Sequence, residues 1–325
     1  MARFALEMLG TPSIRPVYSF SANQDAETLR QAMKGFGTNN SKVIGVLCER
    51  SNSQRQEIAK AFKVMYGKDL VEDLKSELSG DFEDLIVALM EPAAVYDAKQ
   101  LHKAMAGFGT KELVLIEIMT SRTNDQIAAI RDAYKELYGT DLEDDLIGDT
   151  SGAFQRILVS LCAGGRDESN YFDHLSANQD AHALYDAGEN RLGTDESCFN
   201  QILASRNFNQ LRLIFDEYEK IAGHSIEQAI ESEFSDDIKD CLLALVAVIR
   251  NRPIYFAKQL HESMKGFGTR DQDLIRLVVT RSEVDMVDIR GQFEAMYDTS
   301  LENMIKGDCS GAYKDALIAL VKGNL

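Results

Sequence analysis

The chain has 325 residues, 45% apolar and 27% charged, enough apolar material for an ordinary core, which excludes disorder. No apolar run approaches the roughly 18 residues of a membrane-spanning helix, the longest lying around Cys241 to Ile249. A formal net charge of −17 opposes attraction to nucleic acid or to an acidic membrane unless a cation stands between.

Four prolines and no tryptophan, with turn residues sparse and clustered, argue against a many-stranded sandwich and for an all-α chain. Residues 1–20 form an N-terminal arm. Its start is broken by Glu7 and lacks a cleavage site, so no signal peptide is expected. Phe4, Leu6, Met8 and Leu9 offer a short apolar face, but Gly10, Pro12 and Pro16 follow, and the segment reads as an arm strapped along the core. The cysteines, Cys48, Cys162, Cys198, Cys241 and Cys309, are odd in number and lack CxxC spacing. They read as reduced core residues of a cytosolic protein.

Past the arm the chain repeats itself. Met33-Lys-Gly-Phe-Gly-Thr38 recurs as Met105-Ala-Gly-Phe-Gly-Thr110 and Met264-Lys-Gly-Phe-Gly-Thr269, with the variant Gly188-Glu-Asn-Arg-Leu-Gly-Thr194. The last glycines, Gly37, Gly109, Gly193 and Gly268, are 72, 84 and 75 residues apart. From each glycine, positions 21, 25 and 28 carry one apolar stripe: Ile58, Phe62, Met65; Ile130, Tyr134, Leu137; Ile214, Tyr218, Ile221; Ile289, Phe293, Met296. That spacing predicts a helix with one buried face. A second stripe runs Phe82, Leu85, Ile86, Leu89; then Phe154, Ile157, Leu158, Leu161; then Ile238, Cys241, Leu242, Leu245; and last Tyr313, Ala316, Leu317, Leu320. Ser53 with Gln56 and Thr123 with Gln126 read as capping boxes, Asn207 and Ser282 as the corresponding caps, and each Gly-Thr as the stop of one helix and the cap of the next. The expected units are repeats at 21–90, 93–162, 177–247 and 252–323, with 163–176 a linker between two pairs.

The glycine loop alone explains a helix–helix turn. It does not explain the acid 40 residues beyond the origin in every copy, at Glu77, Asp149, Glu233 and Asp308, a coincidence expected about once in 1,500 for a spacing chosen in advance. A glycine-rich loop can turn successive carbonyls toward one point. Ca²⁺ takes six to eight oxygens, commonly main-chain carbonyls with a bidentate carboxylate and water. Three carbonyls and one carboxylate leave positions for a lipid phosphate, the bridge that the net charge requires. Phe36, Phe108, Leu192 and Phe267 sit between or beside the loop glycines, where an apolar tip suggests membrane contact.

Together the Gly-x-Gly-Thr loops, the acid 40 residues on and an arginine 13 residues on (Arg50, Arg122, Arg206, Arg281) resemble the annexin family from about Ser21 to Gly323. The resemblance implies an all-α fold of four annexin repeats with five helices each, a slightly curved disc, and calcium-dependent binding to acidic phospholipid membranes. Carried over by position, it implies calcium ligands at Met33, Gly35, Gly37 and Glu77; at Met105, Gly107, Gly109 and Asp149; at Gly188, Arg191, Gly193 and Glu233; and at Met264, Gly266, Gly268 and Asp308. Repeat 3 departs, with Asp236 where the other copies have Gly80, Gly152 and Gly311. Secondary ions are a further reading of Glu112, Glu196 and Asp271, against first-turn acids favoured by the helix dipole. The resemblance would also line a central hydrophilic channel with Asp97, Glu117, Arg122 and Arg276, although Gln100 stands where several annexins have glutamate. The arginines have a plainer reading, as hydrogen-bond donors at helix ends.

No P-loop, Rossmann fingerprint, EF-hand loop or metal-spaced histidine set is present, so an enzyme is not expected. The expected partners are acidic, phosphatidylserine-like membranes at the cytoplasmic face when calcium rises, and no nucleic acid. Self-association on the membrane, a protein partner on the arm, and a role in membrane organisation, trafficking or repair stay open.

Overall fold

The computed structural model describes residues 10–35, 37–266 and 268–324. In them the helical stripes form nineteen α-helices and no strand. The first repeat holds α1 (Ala22–Ala32), α2 (Asn40–Leu47), α3 (Asn52–Tyr66), α4 (Leu70–Glu77) and α5 (Gly80–Met90). The second holds α6 (Ala93–Met105), α7 (Glu112–Ser121), α8 (Asn124–Tyr138), α9 (Leu142–Asp149) and α10 (Gly152–Cys162). The third begins α11 (His174–Ala187), α12 (Glu196–Ser205), α13 (Phe208–Ala222), α14 (Ile226–Glu233). A long α15 (Asp236–Met264) follows, then α16 (Asp271–Arg281), α17 (Met286–Tyr297), α18 (Leu301–Asp308) and α19 (Gly311–Lys322). Helix α15 is two helices in one: Asn251 leaves helical geometry at φ −160°, ψ 95°, and Pro253 follows in the first turn beyond, where a missing N–H costs nothing. With that break each repeat has five helices.

Both stripes turn inward, with one correction. Ile58, Phe62, Ile130, Tyr134, Ile214, Tyr218, Ile289 and Phe293 are buried, each aliphatic or aromatic burial contributing about 1.5–3 kcal/mol. The third position of that stripe is not in the core: Met65 and Leu137 are each 41% exposed, and Ile221 and Met296 only half-buried. These residues lie in the last turn before the left-handed caps at Gly67, Gly139, Gly223 and Asp298, where the helix has passed the end of its core. The second stripe is buried in all four repeats except for Ile238, which packs partly exposed against the core.

The caps also differ from expectation. Helix α3 is capped by Ser51 with Gln54 in a reciprocal capping box, not by Ser53 with Gln56. Gln56 donates instead to the Met90 carbonyl. Thr123 with Gln126 does form the expected box, and Asn207 accepts from the Gln210 N–H. Ser282 does not cap the helix that follows, since α17 starts four residues later; it ends α16 as its C-cap, and its carbonyl accepts the N–H groups of Ser13 and Ile14 from the arm.

The chain divides into two compact units, residues 1–93 with 253–325 and residues 94–252. Repeats 1 and 4 therefore share one unit and repeats 2 and 3 the other, so the long junction joins two repeats inside a unit instead of separating two pairs. It is strapped down: Arg166 donates to the carbonyls of Leu203 and Arg206, and Asn207 donates to Asp167 and to the Tyr171 carbonyl. In the first unit Glu283 accepts from Arg55 at 3.1 Å and from the Asn52 N–H at 2.6 Å, joining repeat 4 to repeat 1. The arm from Gly10 onward is bound to the same unit. Val287 donates to the Thr11 carbonyl, the Ser13 hydroxyl to the Leu320 carbonyl, and Asn324 to the Ser13 carbonyl. Phe4, Leu6, Met8 and Leu9 lie outside the described residues.

Candidate cation and membrane site

Each repeat closes its glycine loop by the same two bonds. The residue after the threonine donates its N–H back to the helix that enters the loop: Asn39 to Ala32, Lys111 to Ala104, Asp195 to Ala187 and Arg270 to Ser263, at 2.7–2.9 Å. The threonine hydroxyl donates to the distant acid: Thr38 to Glu77 at 2.8 Å, Thr110 to Asp149 at 2.5 Å, Thr194 to Glu233 at 2.7 Å, Thr269 to Asp308 at 2.7 Å. Loop and carboxylate, 40 residues apart in sequence, thus meet in all four copies. This corrects the expectation that the threonines are helix caps, for their hydroxyls are spent on the acid. The caps are the next residues, of which Asn39 and Asp195 accept first-turn N–H groups.

The loop backbone needs glycine for its dihedrals. Gly35 and Gly37 have φ of +111° and +84°, repeated within about ten degrees at Gly107 and Gly109 and at Gly266 and Gly268. An added Cβ at any of them would meet nothing within 4 Å, so conformation and not crowding sets the residue type. Among the described residues, no main-chain N–H donates to the carbonyls of Met33, Gly35, Gly37, Met105, Gly107, Gly109, Met264, Gly266 or Gly268. Unspent carbonyls beside one acceptor-only carboxylate are a donor set suited to a hard cation. No three His, Cys, Asp or Glu side chains gather as a metal cluster among the described residues, so main-chain oxygen is the larger share of what each loop offers. Beside the second loop lies a hollow of about 290 Å³ lined by Met105, Ala106, Gly148, Asp149, His102 and Tyr134.

The third repeat differs in two ways. The Gly188 carbonyl already accepts the Arg191 N–H at 3.2 Å. Glu189, inside the loop, is held by the Tyr218 hydroxyl at 3.0 Å and by His224 Nε2 at 2.8 Å, which raises the His224 pKa above the usual imidazole range. The Asp236 departure leaves the backbone unchanged: its φ of +55° matches +62°, +62° and +61° at Gly80, Gly152 and Gly311, a region aspartate tolerates better than most residues.

Loop tips are bare. Phe108 is 110% exposed and Leu192 103%, so neither folds back on its repeat. Phe36 and Phe267 lie outside the described residues.

Three of the repeated arginines clamp carboxylates on the first helix of their own repeat: Arg50 on Asp25, Arg122 on Asp97, Arg206 on Asp180, each through two nitrogens at 2.7–3.2 Å, and Arg50 also donates to the Glu49 carbonyl at 3.4 Å. Repeat 4 has Phe256 at that place. Arg281 lies over its ring at 4.2 Å and pairs with Asp285 four residues on. Of the residues expected to line a channel, Asp97 and Arg122 are spent on each other and Arg276 pairs with Asp273 at 3.0 Å; Glu117 is buried. Of the second-rank acids, Glu196 is paired with Arg156, while Glu112 and Asp271 each face another acid, Asp237 and Asp81, at the start of a neighbouring repeat's last helix.

The four repeats of sequence and structure coincide with four matches to the annexin family model, at residues 24–89, 96–161, 179–245 and 255–320. The chain belongs to the annexin family. Annexin A4 of Bos taurus is 52% identical over 312 residues, 96% of this chain and 98% of that protein. Among solved structures, annexin III superposes with a TM-score of 0.95 at 46% identity, over 98% of this chain and 99% of that one. A calcium-bound annexin, annexin (Sm)1, superposes with a TM-score of 0.88 at 37% identity, over 96% of this chain and 93% of that one. The annexin fold, four five-helix repeats, is thus shared along nearly the whole length.

Proposed function

We propose that the chain binds acidic phospholipid membranes through Ca²⁺ held in its glycine loops, in a binding and not a catalytic role. The observation that carries this is the fourfold meeting of Thr and acid across each loop, which in repeats 1, 2 and 4 sets one carboxylate beside unspent main-chain carbonyls. Calcium would be held by the carbonyls of Met33, Gly35 and Gly37 with Glu77, of Met105, Gly107 and Gly109 with Asp149, and of Met264, Gly266 and Gly268 with Asp308. When bound, it supplies positive charge and open coordination positions for lipid phosphate. The third site, at Gly188, Arg191, Gly193 and Glu233, is the weakest, because one of its carbonyls is already spent and Glu189 is tied to His224 and Tyr218. Four weak sites on one molecule reinforce each other through effective concentration. A net charge of −17 makes the docking conditional on the cation.

The calcium-bound annexin (Sm)1 supports the choice of ion. No helix among the described residues is long and apolar enough to cross a membrane, which fits attachment from one side. Asp149→Asn and Glu77→Gln test the assignment: each should raise the calcium needed for half-maximal vesicle binding several-fold with the thermal unfolding of the calcium-free protein unchanged. An unchanged calcium requirement in both would remove these residues from the site.

A further inference from the structure

We propose that the second repeat is a deeper membrane anchor than the other three, with Phe108, Leu113 and Ile147 entering the apolar zone beneath the lipid phosphates. This rests on the calcium and phospholipid reading above. Leu113 and Ile147 are 59% and 45% exposed. They flank the same loop: Leu113 is in the first turn of α7, three residues past Thr110, and Ile147 is in the last turn of α9, two residues before Asp149. The Thr110–Asp149 hydrogen bond fixes these two turns beside each other and beside the bare Phe108.

The fold does not require apolar residues there. The positions matching Leu113 are Ser41, Ser197 and Gln272, and those matching Ile147 are Lys75, Glu231 and Lys306, all exposed. One residue past the start of the loop, Ala106 stands where the other repeats carry Lys34, Glu189 and Lys265. At these three positions the second repeat alone carries hydrocarbon where the others carry charged, hydroxyl or amide side chains, while its exposed Lys111 keeps one charge beside the loop. Large side chains exposed to water in one patch mark an interaction surface. The occupant that fits is the glycerol and upper acyl region of a bilayer, because the patch surrounds a loop whose carbonyls would draw lipid phosphate to it. Repeats 1 and 4, with paired lysines in the same register, suit the phosphate level above.

The absence of tryptophan from the chain makes the test clean. Single-tryptophan variants Leu113→Trp and Ile147→Trp, with Glu231→Trp and Lys306→Trp at matching positions, are mixed with calcium and phosphatidylserine vesicles carrying acyl chains brominated near the glycerol. The anchor predicts blue-shifted emission and bromine quenching for the first two, reversed by chelator, and water-like, unquenched emission for the last two. Water-like emission from Leu113→Trp and Ile147→Trp on vesicles with which the protein sediments would overturn the anchor alone, as would equal quenching of all four. Failure to sediment with calcium would overturn the phospholipid reading and the anchor together. In otherwise unaltered protein, the double variant Leu113→Ser, Ile147→Lys, which installs the residues of repeat 1, should raise the calcium needed for half-maximal binding several-fold.

Discussion

Thr110 donates its hydroxyl to Asp149 across 2.5 Å, and Thr38, Thr194 and Thr269 hold Glu77, Glu233 and Asp308 in the same way. A partner that orients a metal-binding carboxylate is commonly worth about 10- to 100-fold in metal affinity. Thr110→Val should therefore weaken the second site by about tenfold, toward the effect of Asp149→Asn. Calcium titration of vesicle binding on both variants and their combination checks this. An additive double variant would mean that the two residues do not act as a unit.

Arg281 and Asp285 form the most enclosed ion pair described, with 2% and 0% of their side chains exposed. Asp285→Asn leaves the guanidinium in place without its counter-charge, a loss of about 3–5 kcal/mol for a buried pair. Asp180→Asn should cost less, since Arg206 opposite it is 37% exposed. Urea unfolding of the two variants ranks them, and equal losses would contradict the account.

Two acid pairs predict a pH dependence. Asp81 is raised above the usual carboxylate range by partial burial and then by Asp271 and Asp84; Asp237 is raised by partial burial and then by Glu112, Asp240 and Asp236. A carboxyl raised on folding makes the folded state bind more protons than the unfolded one just above pH 3.8, so stability falls as pH climbs through that window. Asp81→Asn and Asp237→Asn should accordingly unfold at higher temperature than the parent at pH 7 in chelator, with the gain shrinking toward pH 3.5. An equal gain at both pH values would assign the effect to something other than charge.

Burial pushes the Cys48 and Cys241 thiols up to about 12 and Cys162 up to about 11, and Cys309 too rises to about 12. Thiolate is the reacting form. The folded protein should react slowly with a disulfide reagent at pH 8, and all five cysteines quickly once unfolded in urea. Rapid reaction of three or more thiols in the folded protein would contradict this.

The arm and the C-terminus share one seam. Gly323 has φ +83°, and an added Cβ would stand 1.9 Å from the Ser13 carbonyl oxygen. Gly323→Ala should lower the melting temperature, and deletion of residues 1–16 should remove the penalty by removing the obstacle while leaving calcium-dependent sedimentation intact. Loss of sedimentation on deletion would give the arm a part in membrane binding.

Much of this was legible in the residues. Three Gly-x-Gly-Thr loops with one variant, the acid 40 positions on and two helical stripes in register predict four helical repeats and bring the loop to its carboxylate, while the count of five helices per repeat comes with the annexin resemblance. The threonine's role was not legible, because Thr after Gly is an equally good helix cap and only a contact across 39 residues distinguishes the two. Register held the clue to Ser51: it stands 14 residues past Gly37, as Thr123 does past Gly109, whereas Ser53 is two positions out. Ser282 keeps that register and still fails to cap the helix that follows. Phe256 occupies the place of Asp25, Asp97 and Asp180, so Arg281 takes Asp285 as its counter-charge and the next helix starts late. Which repeats share a unit was hidden as well, because a longer junction reads as a boundary whether it separates two units or lies strapped inside one.

The most direct measurement is co-sedimentation of the whole chain with phosphatidylserine vesicles across a calcium titration, with chelator added back at the end. Binding that rises with calcium, reverses with chelator and needs more calcium in Asp149→Asn is the predicted result. Binding without calcium, or none at millimolar calcium, would contradict the bridge at the centre of the account.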